Sequence, residues 1–222
     1  MTALSELTFS ARLRDMTRAD HTAAETSEFI TGLMDGSRSA RDYTLLLAQY
    51  RYIYGALEQE CRRLSGDPEL ADILDSRLER SALLESDLSA LMVQVGLGEL
   101  PVQLPATAAY VQRIRESAQN PARILGHHYL RYLGDLSGGQ IIGRLVARHY
   151  GIDESHLTMW RFEGIDKHKP YKDEYRDKLD GYATSAERSD AMIEESVRGF
   201  QLNRDLFAAL LAQSAEMDSQ QA

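Results

Sequence analysis

Residues 127–140 read HHYLRYLGDLSGGQ, a stretch with helical patterning on both sides and three glycines, Gly134, Gly138 and Gly139, within six positions. Each glycine in a helix interior costs about 1 kcal/mol relative to alanine. A helix that carries three of them lets a flat molecule approach its backbone, bends there, or does both. Gly134 and Gly138 share one face, and Arg131 and Asp135 lie on the neighbouring face. A bare backbone strip bordered by an acid and a base predicts a bound planar cofactor.

The rest of the chain predicts an all-α fold. Apolar residues recur at helical spacing in nearly every segment, and no convincing strand pattern occurs. We expect one domain over residues 1–222, with about eight helices, a core from about 8 to 211 and a polar, frayed tail from about 212 to 222. The predicted helices cover about 8–26, 39–64, 68–95, a segment starting at Pro105, 121–151, 170–181 and 184–211, with a linker at 96–104.

Local signals set several of these bounds. Asp67-Pro68 and Asn120-Pro121 each combine a capping residue with a proline at the first helical position. Gly151 is a plausible terminator for the glycine-bearing helix. Thr184 with Glu187 matches a capping box before the last helix.

Composition excludes several classes of function. The net charge of -9 argues against nucleic acid as the main partner. The single cysteine, Cys61, lies on an apolar stripe and is expected to be a core residue, so no internal disulfide can form. No apolar run reaches the roughly 18 residues of a membrane span, and the N-terminus lacks a secretory pattern. We therefore expect a cytoplasmic protein with no membrane anchor, and favour a monomer.

His21 has the most informative context of the six histidines. Arg14, Thr17, His21 and Glu25 follow one polar stripe of a predicted helix. Glu25 can accept a hydrogen bond from one ring nitrogen and leave the other free as a metal ligand. Arg14 lies about 10 Å away along the axis, a reach that suits the edge of a porphyrin centred on such a metal. An ordinary solvent-facing histidine on a polar face explains the same stripe.

Other metal and catalytic patterns are weaker. The sequence has no zinc-protease motif, and the nearest match to a di-iron motif is the lone Asp153-x-x-His156. His127 and His128 are adjacent, which suits core or surface histidines. No phosphate-binding glycine loop occurs, and Ser137 has no assigned base. The basic segment 167–176 suits carboxylate binding or an acidic protein partner, and equally a solvated face.

The stretch 128–140 resembles the distal-helix signature of the haem oxygenases of the soluble bacterial type, nearly residue for residue. Four further segments resemble that family in the same order, namely 17–25, 54–58, 162–176 and 200–207. The similarity spans about 8–211. It implies a haem held between a proximal helix and a glycine-kinked distal helix.

The resemblance also implies roles for individual residues. His21 resembles the proximal iron ligand and Glu25 its hydrogen-bond acceptor. Gly134 and Gly138 resemble the glycines that let the distal helix lie over haem, and Asp135 the distal acid, with Arg131 and Tyr54 in its network. The remaining positions resemble haem-propionate binders or pocket residues, and they are Arg14, Tyr129, Lys167, Arg176, Phe200 and Asn203. Arg14 departs from the lysine common in related bacterial enzymes, which puts fine control of haem orientation in doubt.

The implied reaction is oxygen-dependent cleavage of haem to biliverdin, ferrous iron and carbon monoxide, with haem as both substrate and cofactor. Electrons would come from a ferredoxin or a flavoprotein reductase, which suits a basic haem edge. Two alternatives remain open on the sequence. One is a haem-binding or haem-sensing module without turnover, and the other is an all-helical enzyme that uses no haem.

Overall fold

The computed structural model describes residues 7–221, and these residues form helices joined by short turns, with no strand among them. This confirms the all-α prediction. The ten α-helical segments of the described part are α1 (Phe9–Met16), α2 (Arg18–Glu25), α3 (Glu28–Asp35), α4 (Ala40–Leu64), α5 (Ser81–Gln94), α6 (Pro105–Ser117), α7 (Pro121–His128), α8 (Gln140–Tyr150), α9 (His168–Tyr182) and α10 (Ala186–Gln221). Three short 3-10 turns lie at Ser76–Leu78, Glu154–His156 and Thr158–Trp160.

Helix starts that depend on local chemistry lie where the sequence predicts them. Ser39 forms a capping box with Asp42 at the start of α4. The Asn120 side chain accepts from the Ala122 backbone N–H at the start of α7, and Pro105 opens α6. Gly151 ends α8 in the left-handed conformation, with φ of 62°.

Three predicted bounds are wrong, and one helix was not predicted. The segment predicted as the first helix forms two helices, α1 and α2, because the helix is interrupted at Thr17. Helix α3 was not predicted. Residues 66–80 form turns and a 3-10 segment, so the helix predicted from Pro68 begins only at Ser81. Ser185, not Thr184, accepts from the Arg188 backbone N–H at the start of α10.

The polar tail predicted from about 212 to 222 is helical as far as the structure describes it. Helix α10 continues beyond Leu211 to Gln221, and Ala222 lies outside the described residues. Ser214 is buried, and its hydroxyl donates to Asp42 of α4. This long-range contact holds the polar end of α10 against the rest of the structure.

A buried ion cluster joins α6, α7 and α10. Glu195 is fully buried and accepts from Arg113 at Oε1 and from Arg123 at Oε2, each at 2.8 Å, and the Nε2 atom of His127 lies 3.0 Å from Oε1. Burial alone would raise the pKa of Glu195, but the contacts with His127, Arg113 and Arg123 hold it below its usual range. His127 is therefore a core residue, and so is His128, whose Nδ1 lies 2.7 Å from the Tyr175 hydroxyl.

One helical run, from α7 to α8, carries the glycines. It includes two π-helical turns, Tyr129–Leu133 and Asp135–Gly139, with α-helical geometry at Gly134 between them. A Cβ atom built on Gly139 would lie 2.7 Å from the Trp160 ring, whereas one built on Gly134 or Gly138 meets nothing within 4 Å. Gly139 thus allows Trp160 to pack against the helix, and the other two glycines face open space.

This division predicts opposite effects of two matched substitutions on the haem-free protein. Gly134→Ala should raise the free energy of unfolding by about 0.5–1 kcal/mol, because alanine suits the helical backbone there better than glycine. Gly139→Ala should lower it by about 1–3 kcal/mol, because its methyl group meets the Trp160 ring. Urea unfolding of both variants measures the difference. A destabilised Gly134→Ala protein would contradict the open face.

Candidate functional site

A cavity of about 660 Å³ lies between two walls of helices. One wall comes from α1, α2 and α3, the other from the π turns and α8, and α9 and α10 add residues at the sides. Its size is that of a pocket for a small organic ligand. Eleven of the thirteen residues predicted for the site line it, and these are Arg14, His21, Glu25, Tyr129, Arg131, Gly134, Asp135, Gly138, Arg176, Phe200 and Asn203.

The wall that contains Gly134 and Gly138 is bare and largely apolar. Leu133, Ile141 and Ile142 lie beside the two glycines. Ile141 remains 52% exposed although it lines a concave site. Exposed apolar surface and uncovered backbone at one wall suit a flat, apolar ligand face.

His21 stands on the other wall. Its Nδ1 lies 3.1 Å from Oε2 of Glu25, one turn further along α2. A carboxylate only accepts hydrogen bonds, so a hydrogen bond to Glu25 requires the tautomer of the neutral imidazole that has its proton on Nδ1 and its lone pair on Nε2. The Phe200 ring meets the imidazole edge-on, at 5.5 Å between centroids. This arrangement orients a ring nitrogen that is chemically able to bind a metal.

Asp135 is the buried acid of the site. The Tyr54 hydroxyl donates to its Oδ2 at 2.6 Å, and Tyr54 itself lies fully buried behind the wall and does not line the cavity. Burial raises the pKa of the Asp135 carboxyl, and the charge of Arg131 and the hydrogen bond from Tyr54 oppose the shift without reversing it. Asp135 is thus a better proton carrier near neutral pH than an exposed aspartate.

Arg131 is linked to this acid through the Tyr54 hydroxyl. Its guanidinium donates to Oδ1 of Asn203 at 2.7 Å and to the Tyr54 hydroxyl at 3.3 Å. It also lies over the Tyr50 ring, 4.4 Å from the centroid. The network therefore joins α4, the first π turn and α10 around one carboxyl group.

Cations gather at one edge of the cavity. Arg14, Arg18 and Arg176 line it together with Tyr129. Lys172 donates to the hydroxyl of Ser137 at 3.0 Å, and Ser137 lines the cavity. Such an edge suits carboxylate groups on a ligand.

Lys167 is the one predicted cation that lies elsewhere. It is the residue before α9 and does not appear among the described residues that line the cavity. Lys172 is not among these lining residues either, but its side chain donates to Ser137, which does line the cavity. The signal for Lys172 was available, because Lys172 and Arg176 are four residues apart on one helix face. Arg18 was missed in the same way, since it follows Arg14 by one turn.

One other cavity contains none of the thirteen predicted residues. A second cavity of about 520 Å³ lies behind Trp160, with a buried apolar floor and a rim of mixed charge. Among residues 7–221, no group of three or more histidine, cysteine or acidic side chains is placed to hold a metal ion. In the same part of the chain, no helix is long and apolar enough to cross a membrane.

Comparisons with known proteins agree on one family. The family model described as "Heme oxygenase" matches residues 7–209. The chain is 35% identical to Heme oxygenase 1 of Nostoc sp. over 201 residues, which cover 90% of this chain and 84% of the relative. It is 32% identical to Heme oxygenase 1 of Rattus norvegicus over 207 residues, which cover 91% and 71%.

Solved structures are similar over nearly the whole chain. Heme oxygenase-1 from Synechocystis sp. in complex with heme matches with a TM-score of 0.85 and 26% identity, covering 97% of this chain and 99% of that one. The heme oxygenase of Leptospira interrogans matches with a TM-score of 0.84 and 31% identity, covering 91% and 100%. The chain therefore belongs to the haem oxygenase family, a family of oxidoreductases.

Proposed function

We propose that this protein binds haem in the cavity and cleaves it to biliverdin, ferrous iron and carbon monoxide, using oxygen and electrons from a redox partner. The observation that carries the proposal is the pairing of the two walls. One wall presents His21, and the other presents the bare strip of Gly134 and Gly138 beside the buried acid Asp135. A binding module without turnover has no evident need for that acid.

The residues present fit haem. Gly134 and Gly138 leave room for a flat ring against the backbone, and Nε2 of His21 is the nitrogen available for iron. Arg14, Arg18, Tyr129, Lys172 and Arg176 form an edge that suits the two propionates. We assign Lys172 to this role in place of Lys167.

Bound haem supplies both the iron at which oxygen is activated and the ring that is cleaved. The chain's own residues supply position and protons. Glu25 keeps His21 oriented, and the propionate edge fixes the rotation of the ring. Asp135 holds a proton within the cavity and passes it on through water, while Tyr54 occupies Oδ2 and leaves Oδ1 as the oxygen available for transfer.

The charge of the cavity edge is the basis for the proposed redox partner. The cavity edge is cationic in a chain of net charge -9. An acidic surface on a ferredoxin or a flavoprotein reductase would meet this edge and be attracted to it. We also propose that the chain acts as a monomeric single domain in the cytoplasm, and one contiguous cluster of buried hydrophobic residues supports the single domain.

Reconstitution with hemin tests the proposed function directly. The protein should give a sharp Soret band, which a reductant under oxygen should convert to biliverdin identified by chromatography. His21→Ala should lose this turnover and change its axial coordination, with partial recovery in imidazole, whereas His156→Ala, away from the cavity, should behave as the parent. A stable Soret band without product would favour the binding module, and no Soret band would contradict haem binding.

The two lysines offer a matched test of the propionate edge. Lys172→Met should weaken hemin affinity by about fivefold to tenfold, because a charge-assisted hydrogen bond to a propionate is lost. Lys167→Met should leave the affinity within about twofold, because in the described part of the chain no hydrogen bond joins Lys167 to a cavity-lining residue, whereas Lys172 donates to Ser137. Fluorescence quenching titrations with hemin measure both. Equal effects of the two variants would contradict the reassignment.

Asp135→Asn separates binding from chemistry. The variant should keep the Soret band, yet form biliverdin at least about tenfold more slowly, because the amide carries no transferable proton. It should also be more stable than the parent without haem at pH 7. The pKa of Asp135 is raised in the fold, so above the usual value of 3.8 its ionisation opposes folding, and the gain should vanish below that pH. Biliverdin formation at the parent rate would contradict the role of Asp135.

A further inference from the structure

Helix α3, in one wall of the cavity, packs against α8, in the other wall. Tyr150 is the last residue of α8, and its hydroxyl donates to the carbonyl of Leu33 at 2.9 Å, with the carbonyl of Gly32 at 3.3 Å. Both carbonyls belong to the last turn of α3, where a helix leaves its acceptors without partners inside the helix. The Gly32 carbonyl also accepts from the Arg38 backbone N–H at 3.1 Å, so the bond from Tyr150 matters most for the Leu33 carbonyl. A side chain of one wall therefore caps the helix end of the other.

A second contact supports the same junction. Gly36 ends α3 in the left-handed conformation, with φ of 85°. A Cβ atom built on it would lie 2.7 Å from the His149 ring, so the chain end of α3 fits directly against α8. Residues 149 and 150 thus hold α3 by its C-terminus through close packing and hydrogen bonding.

The junction is connected to the wall that contains His21. Only Thr26 and Ser27 separate α2 from α3, and the Ser27 hydroxyl donates to the Ala24 carbonyl at 2.8 Å within this turn. The helix end that α8 holds therefore lies one short helix and one short turn away from the helix that carries His21, and α10 packs against both helices.

We propose that Tyr150 is a positioning residue that sets the separation of the two cavity walls, and so the grip of the site on a bound planar ligand. The inference rests on the proposed function for the identity of that ligand, haem. It does not rest on the reaction, because Tyr150 lies beyond the residues that line the cavity.

The first test needs no haem. In hydrogen–deuterium exchange, Tyr150→Phe should increase the exchange rate of the amides at the end of α3 and in α2, while α4 to α6 stay as in the parent. The matched control is Tyr52→Phe, which removes a Tyr–carbonyl hydrogen bond, to Pro101, on another side of the structure. Unchanged exchange in α2 and α3 of Tyr150→Phe would overturn the inference.

The second test measures haem release to an excess of haem-free myoglobin. Tyr150→Phe should release haem about fivefold faster than the parent, the factor expected from about 1 kcal/mol for one hydrogen bond. The melting temperature of Tyr150→Phe should equal that of the Tyr52→Phe control. The Tyr52→Phe control should release haem at the parent rate. A Tyr150→Phe rate equal to the parent rate would overturn the inference. If the parent itself takes up no haem, the proposed function fails instead, and the exchange experiment still decides the role of Tyr150.

Discussion

The space between the two cavity walls depends on the absence of side chains at Gly134 and Gly138. Both residues keep helical geometry, so the glycines serve no special backbone conformation here. Behind them, Gly139 and Gly143 admit the Trp160 ring, whose Nε1 donates to the Tyr43 hydroxyl at 2.8 Å. At these glycines the helix therefore lacks side chains on the cavity face and on the opposite face. The rigid Trp160 ring packs against the opposite face and supports the helix there.

Burying the polar groups beside this strip costs free energy, and several helices supply hydrogen-bond partners for them. Arg131 and Asp135 are both nearly inaccessible, and each is unfavourable inside a protein without partners. Tyr54 of α4 and Asn203 of α10 provide those partners. An acid that the fold stabilises incompletely, with a raised pKa, is what proton transfer near neutral pH requires. The ionised Asp135 thus lowers the stability of the fold, and it is also the residue that the proposed chemistry uses.

Much of the fold and most of the candidate site could be predicted because their signals are local. Caps such as Ser39 and Asn120 act within three residues, and His21 with Glu25 or Gly134 with Gly138 are related by one helical turn. The missed helix α3 also has local signals, with an extended Ser27 before it and the left-handed Gly36 after it. Other errors lie where distant contacts matter, as before Ser81, where the Arg80 backbone N–H donates to Glu58 of α4. Tyr150 reaches carbonyls 117 and 118 residues earlier in the chain, and no pattern around it in the sequence indicates this.

A crystal structure of the complex with haem tests the central claim most directly. The account predicts iron bonded to Nε2 of His21, the opposite ring face against the backbone at Gly134 and Gly138, and the propionates among Arg14, Lys172 and Arg176. A ring bound elsewhere, for instance in the cavity behind Trp160, or iron ligated by a residue other than His21, would contradict it.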